Sequence, residues 1–256
     1  MIRLASWNVN SLKVRLPQLL QWLDVKRPDI VCLQETKLED TAFPGEAIRQ
    51  AGYQALSSGQ KTYNGVAILS RSAGSEPAVA IPGFADPQKR VLAANVGPLR
   101  VICVYVPNGQ SVDSDKYRYK LDWLAAATAW LKQELARHPN LAVAGDFNIA
   151  PDQRDVYDPR VWEGQVLFSA PERAAFQRLL DAGFKDSFRL FNQSAGRFTW
   201  WDYRMNAFKR GMGLRIDHVL LSPALAAHCR SSDIDVAPRQ SERPSDHAPV
   251  FADLEL

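Results

Sequence analysis

The chain alternates short apolar runs with segments whose apolar residues recur every three or four positions, the two periods of strand and helix. Residues 2–9 are strand-like, and Ser11 then stands as N-cap for a helix carrying Leu16, Leu19, Leu20 and Leu23 on one face and stopped near Pro28. Compact apolar runs follow at 30–33 (IVCL) and 65–70 (GVAILS), each bounded by turn residues. VLAANV (91–96) and LRVICVYV (99–106) flank Gly97-Pro98, a hairpin signal. A long helix is predicted over 114–137, with Leu121, Leu124, Thr128, Leu131 and Leu135 at helical spacing and Pro139 as its stop. LAVAG (141–145) reads as a buried strand. Ser169 to Glu172 is a capping box opening a helix with Phe176, Leu179 and Leu180, ended by Gly183. Strand-like segments recur at 216–221, 233–236 and 250–254. No linker or repeat divides the chain, so a single domain over 1–256 is expected, a layered α/β arrangement with helices outside packed sheets.

Composition adds little by itself. Of 256 residues, 46% are hydrophobic and 23% charged, the balance of an ordinary globular protein. No apolar stretch approaches membrane-spanning length and the first ten residues lack a signal-peptide core, so a cytoplasmic protein with no membrane partner is expected. The net charge of +3 fits a polyanionic partner without requiring one. Cys32, Cys103 and Cys229 show no CxxC spacing, and the first two sit in apolar runs, so they read as core residues of a reducing compartment.

The candidate chemistry lies where apolar runs end. IVCLQ runs into Glu35, LAVAG into Asp146 and Asn148, the first strand into Asn8 and Asn10, and VICV into Tyr105. Polar residues at strand ends are commonly turn formers, but glutamate favours neither turn nor strand. Asp246-His247, held between Pro244 and Pro249, places a carboxylate and an imidazole on stiffened backbone, whereas His138 and His228 near helix ends read as structural. If these ends converge, Glu35, Asp146, Asp246, Asn8, Asn148 and His247 form an oxygen-rich site. Without a cysteine pair or HExxH, it suits Mg²⁺, with Mn²⁺ as the alternative, rather than Zn²⁺. Such an ion serves phosphate-ester hydrolysis. Walker A, GxGxxG and GxSxG motifs are absent.

Eight motifs in order resemble those of the exonuclease III family of AP endonucleases and 3′-exonucleases. They are Ser6-Trp-Asn-Val-Asn10, Leu33-Gln-Glu-Thr-Lys37, Tyr63-Asn-Gly-Val-Ala67, Tyr105-Val-Pro-Asn-Gly109, Gly145-Asp-Phe-Asn-Ile-Ala150, Phe198-Thr-Trp200, Leu214-Arg-Ile-Asp217 and Ser245-Asp-His-Ala-Pro249. The resemblance spans nearly the whole chain. It implies a DNase I-like, four-layer α/β (α+β) sandwich, two packed mixed β-sheets flanked by α-helices. It implies cleavage of DNA 5′ to abasic sites, or removal of nucleotides and blocking groups from 3′ ends. Carried over by motif, Glu35 is the principal metal ligand, with Asp246 and Asn8 near it. Asp146 positions or deprotonates water, Asn148 binds the scissile phosphate, Asp217 holds His247 against it, and Tyr105 and Asn108 add polar contacts. The partner implied is double-stranded DNA with abasic sites or 3′ ends, met by a monomer at the nucleoid. Asn10, Lys61, Tyr63, Asn64, Asn108, Trp200, Arg204, Lys209 and Arg210 form the DNA-facing set, with Arg215 beside them and Phe198 lining a sugar pocket with Trp200.

Two alternatives stay open. One is a phosphatase or phosphodiesterase of the same fold acting on non-nucleic phosphates. The other is a catalytically silent nucleic-acid-binding relative. The apolar pair Leu167-Phe168, in a loop-like context, is expected either to tuck into the core or to lie over DNA and limit entry of an abasic nucleotide.

Overall fold

Ile30 and Cys32 on one side and Val31 and Leu33 on the other are all buried, so the strand carrying them lies between two layers. In the computed structural model, which describes residues 1–256, that pattern recurs in two stacked sheets. The chain runs β1 (Ile2–Asn8), α1 (Leu12–Lys26), β2 (Ile30–Gln34), α2 (Gly45–Gln50), β3 (Gln54–Ser58), β4 (Val66–Ser70), β5 (Gly74–Ala78), β6 (Val91–Val96) and β7 (Leu99–Tyr105). There follow α3 (Asp115–Arg137), β8 (Leu141–Asp146), α4 (Pro159–Trp162), α5 (Ala170–Asp181), β9 (Lys185–Asp186) and α6 (Ser187–Phe191). Last come β10 (Trp200–Trp201), β11 (Gly213–Leu214), β12 (Asp217–Leu221), α7 (Pro223–His228), β13 (Cys229–Ile234) and β14 (Val250–Leu254).

One sheet has the order β13-β14-β1-β2-β4-β3, the other β5-β6-β7-β8-β12-β9, and β10 pairs with β11 in a small ribbon. Both large sheets are mixed, because β1 lies parallel to β2 and β7 parallel to β8 while other neighbours are antiparallel. The period-2 alternation sorts side chains by layer. Leu4, Ile30, Cys32 and Ile68 of the first sheet meet Val101, Cys103, Ala144 and Val219 of the second in the inner core. Ala5, Val31 and Leu33 face outward onto Leu19, Trp22 and Leu23 of α1 and Ile48 of α2. Ile102 and Val143 face outward onto Trp123 and Leu131 of α3 and Phe176 of α5. The result is a four-layer sandwich of helix, sheet, sheet and helix, as the motif resemblance implied.

The long strands and the two long helices fall where the pattern put them, except β13. It runs over Cys229–Ile234 and not over 233–236, and its polar residues Arg230, Ser231 and Ser232 hide it from an apolar pattern. The short edge strands β3 (QALSS) and β5 (GSEPA) also escape the pattern, because edge position removes the need for apolar alternation and admits Pro77. Ser11 occupies the N-cap position at φ 87° but its side chain caps nothing. Instead the backbone N–H groups of Ser11 and Leu12 donate to the carbonyls of Glu35 and Thr36 (2.8 and 3.1 Å), so the turn into α1 is tied to the end of β2. That helix ends on Arg27 in the left-handed conformation, one residue before Pro28.

The reading of Leu167-Phe168 as a surface over DNA is corrected. Leu167 is 4% exposed and Phe168 fully buried, in a cluster with Ala150, Val156, Leu214 and Ile216. The turn is pinned from both sides, with Leu167 N–H donating to Glu172 Oε1 (3.0 Å) and its carbonyl accepting from Ala150 N–H (2.8 Å). Leu167→Ala keeps the same backbone demand at φ 77° and removes only packing. It should destabilise the protein by about 2–5 kcal/mol in chemical denaturation, as expected for a buried leucine truncated to alanine. A cost under about 1 kcal/mol would place Leu167 on the surface after all.

Candidate active site and nucleic-acid interface

Strand parity decides which polar side chains converge. Asn8 shares a face with Leu4, Tyr105 with Cys103, Asp146 with Ala144 and Asp217 with Val219, all lining the space between the sheets. These four stand at one rim, where β1, β7 and β8 end and β12 begins. Asp217 lies directly opposite Asp146 across antiparallel strands, and Tyr105 is register partner to Asp146 on the parallel side. Two carboxylates so placed, with Cα atoms about 4.5–5.5 Å apart, repel one another unless a cation intervenes.

The cation is His247. Its Nδ1 hydrogen-bonds Asp217 Oδ2 (2.9 Å) and its Nε2 lies 3.8 Å from Asp146 Oδ2. Burial by itself would lower the imidazole pKa, but Asp217 and Asp146 overcome it and hold it up at about 10. Burial raises the Asp146 carboxyl and Asp217 adds to the effect, to about 7, against the pull of His247 and the N–H groups of Asn8 and Asn148. The His247 loop is fixed to β1 and to the segment entering β10. Trp7 Nε1 donates to the His247 carbonyl (3.2 Å), Ser245 Oγ donates to the Asn8 carbonyl (2.7 Å), and Ala248 N–H donates to the Thr199 carbonyl (2.7 Å).

Glu35 enters from the other sheet, one residue past β2 and at φ 52°. Asn8 Nδ2 bridges the two, donating to Glu35 Oε1 and Asp146 Oδ2 at 2.9 Å each, while Asn8 Oδ1 accepts from Asn10 N–H. Glu35, Asp146 and His247 offer ligand atoms all within 4.8 Å of one another. Lys37 Nζ lies 3.0 Å from Glu35 Oε2, so a cation already faces this carboxylate. Burial, then Glu35 and Asp146, raises the Tyr105 phenol well above its ordinary value, leaving a protonated hydroxyl. Asn148 gives its N–H to Asp146 Oδ1 (2.8 Å) and accepts from Asn108 Nδ2 (3.1 Å).

Asp246 stands apart from this cluster, its two oxygens accepting from Asn10 Nδ2 (2.9 Å) and Trp200 Nε1 (3.0 Å). Of the residues expected to face DNA, Lys61, Tyr63, Lys209 and Arg210 are exposed, and Arg204 is exposed and paired with Asp202. Asn64 is buried, its amide donating to Gln60 and Gln88 at 3.1 Å. A groove of about 800 Å³ runs from Tyr105 and Asn108 to Tyr63 and Asn64. Arg90, not anticipated from the sequence, lies 4.7 Å over the Tyr105 ring and beside this groove.

Two expectations are corrected here. Phe198 is 7% exposed and belongs to the core between the sheets, not to an open pocket. Arg215 is 1% exposed and held by Asp155 Oδ1 (2.6 Å) and Asp186 Oδ2 (2.7 Å), so it faces no DNA. A guanidinium that deep needs carboxylates, and the sequence gives no sign of which loop supplies them. His218 completes this buried network. Its Nδ1 is 3.0 Å from Arg215 Nη1 and its Nε2 2.9 Å from the Ile149 carbonyl, which requires Nε2 to carry the proton.

With this geometry in hand, the comparisons agree. Residues 5–247 match the Endonuclease/Exonuclease/phosphatase family, and the chain belongs to it. Among relatives, exodeoxyribonuclease III of Haemophilus influenzae is 37% identical, covering 99% of this chain and all of its own. The structure of the 3′ phosphatase NExo from Neisseria bound to a product DNA hairpin superposes with a TM-score of 0.98 at 47% identity, each chain fully covered. An AP endonuclease from Archaeoglobus fulgidus gives 0.97 at 36%, again over both full chains.

The His218 network has a measurable consequence. Burial, and then Arg215, lowers the folded imidazole pKa to about 4, below its ordinary 6.5. The unfolded chain therefore takes up the proton first, and this group's contribution to stability is present above pH 6.5 and lost as pH falls towards 4. His218→Gln, which can keep both hydrogen bonds, should show a shallower fall in urea midpoint between pH 6.5 and 4.5 than the parent. Equal falls would mean that His218 is not held neutral.

Proposed function

We propose that this chain is a metal-dependent DNA repair nuclease. It hydrolyses phosphodiesters 5′ to abasic sites, or removes nucleotides and blocking groups from 3′ ends, or does both, acting as a monomer and as one domain over 1–256. The convergence of Glu35, Asp146 and His247 within 4.8 Å carries the reading. Pairing of the N-terminal β1 with the C-terminal β14 supports the single domain.

Oxygen donors with one imidazole suit Mg²⁺ or Mn²⁺, and the demand of Glu35 for a cation is visible in its contact with Lys37. Glu35 would be the principal ligand, with Asp246 and Asn8 behind it. Asp246 acts through Asn10, which links it to Lys37. Asn8 acts as the bridge between carboxylates. A bound divalent ion would supply neutralisation of phosphate charge and of the departing oxygen. The protein's own groups do the rest. Asp146 accepts a proton from the attacking water, and its raised pKa suits a general base. His247, charged by Asp217, and the Tyr105 hydroxyl present donors to the developing oxyanion. Asn148 and Asn108 orient the phosphate.

Lys61, Tyr63, Lys209, Arg210 and Arg204 extend the contact to flanking backbone, Asn64 shapes the loop that carries Lys61 and Tyr63, and Trp200 borders the sugar. The relatives named for DNA substrates favour this over a non-nucleic phosphate, and the intact Glu35, Asp146, Asp217 and His247 argue against a silent protein.

A gel assay on an internal abasic duplex, a 3′-recessed end and a 3′-phosphate, each with Mg²⁺ and with EDTA, tests the reading. Cleavage should require the ion, and Glu35→Ala should lose on the order of 10²-fold or more in rate with the fold retained. Full activity in EDTA, or in Glu35→Ala, would refute the metal role; turnover of a phosphoinositide in preference to all three DNAs would refute the substrate.

A further inference from the structure

Lys120 is fully buried on the helical face of α3 that also carries Tyr117, Leu124 and Ala127. Its ammonium donates to the backbone carbonyls of Asn108 (3.0 Å) and Asn148 (2.6 Å), and to Glu172 Oε1. These two carbonyls belong to the asparagines whose side chains are joined above it, Asn108 Nδ2 to Asn148 Oδ1 at 3.1 Å. Asn148 stands at φ 50°, a left-handed turn that asparagine tolerates better than most residues, and Lys120 fixes the direction of its carbonyl from beneath.

Glu172, also fully buried, carries the clamp further. It accepts from Leu167 N–H and Ser169 N–H (3.0 Å each) and from Ser169 Oγ, which meets the Tyr117 hydroxyl. One ion pair thus binds α3 and α5 to three loops, residues 106–109, 147–150 and 167–169. A buried pair of this kind contributes little net stability compared with an apolar pair of similar size. What it fixes is a conformation, since three donor hydrogens and two carbonyls are oriented by two side chains.

We infer that Lys120 and Glu172 are positioning residues that set the Asn108–Asn148 pair against the scissile phosphate, an inference that rests on the phosphate role proposed for Asn148. Neither touches substrate. Their effect passes through the asparagine backbone, so it should appear in the rate of the bound complex and not in the association of DNA along the groove.

The test is a double-mutant cycle on removal of a 3′-phosphate, with kcat, KM and thermal midpoint measured for each protein. Lys120→Met alone strands Glu172 as a buried charge, so the cycle uses Lys120→Met/Glu172→Gln, which removes both charges together, with Asn148→Ala as the other arm. The charge-free protein should fold with a native circular dichroism spectrum and lose ~10- to 100-fold in kcat with KM little changed. On the Asn148→Ala background the same pair of substitutions should cost almost nothing further. An unchanged kcat, or losses that multiply independently of Asn148, would overturn the inference. So would failure of the charge-free protein to fold, since the pair would then be a requirement of the fold itself. Full activity in Asn148→Ala alone would instead overturn the phosphate role of Asn148, which separates the two failures.

Discussion

Two carboxylates stand opposite one another on adjacent strands, Asp146 and Asp217, both aimed into the space between the sheets. Neither is accessible to water and the two lie within reach of each other's field, an arrangement that costs stability on its own. It persists because His247 places an imidazolium between them and because Asn8 and Asn148 give N–H groups to Asp146. Much else at this rim exists to keep that charge in place. Ser245 and Trp7 tie the His247 loop to β1, and Thr199 ties it to the segment entering β10, which brings the C-terminal Asp-His motif to residues some 240 positions earlier in the chain.

The same rim concentrates backbone that side chains ordinarily avoid. Asn10, Ser11, Glu35, Lys37, Asn64 and Asn148 all have φ between 43° and 87°. The left-handed region costs residues such as Glu35 and Lys37 roughly 1–2 kcal/mol each, and asparagines less because their short side chains bond locally. The sheets supply rigid ends, the turns beyond them are bent sharply to aim polar groups inward, and buried contacts such as Lys120 to the Asn148 carbonyl hold the bend. A site assembled this way is preorganised for a charged phosphate before substrate arrives.

How much of this a reader of the sequence can see follows from the range of each interaction. The unbroken apolar runs IVCL, VICV and LAVAG mark the central strands because both faces of each are buried, and the strand-end positions of Glu35, Tyr105 and Asp146 follow from where each run stops. The ordered motifs give the family and the convergence of Glu35, Asp146 and His247, which spacing alone leaves open. What escaped depends on partners far along the chain. Arg215 looks like a DNA contact until Asp155 and Asp186 are found around it, and Leu167 looks exposed until Ala150 and Ile216 close over it. Lys120 did leave a trace, a lysine among Tyr117, Leu124 and Ala127 on the apolar face of a helix, where only a paired charge survives.

The central claim is that a charged His247 holds Asp146 and Asp217 together. Nitrogen-15 NMR of the histidine ring in the metal-free protein tests it most directly, by following both ring nitrogens from pH 6 to 9. The account expects His247 to stay doubly protonated across that range, with its pKa near 10 as Asp217 and Asp146 require. A neutral ring by pH 7.5, titrating near the ordinary histidine value, would contradict it.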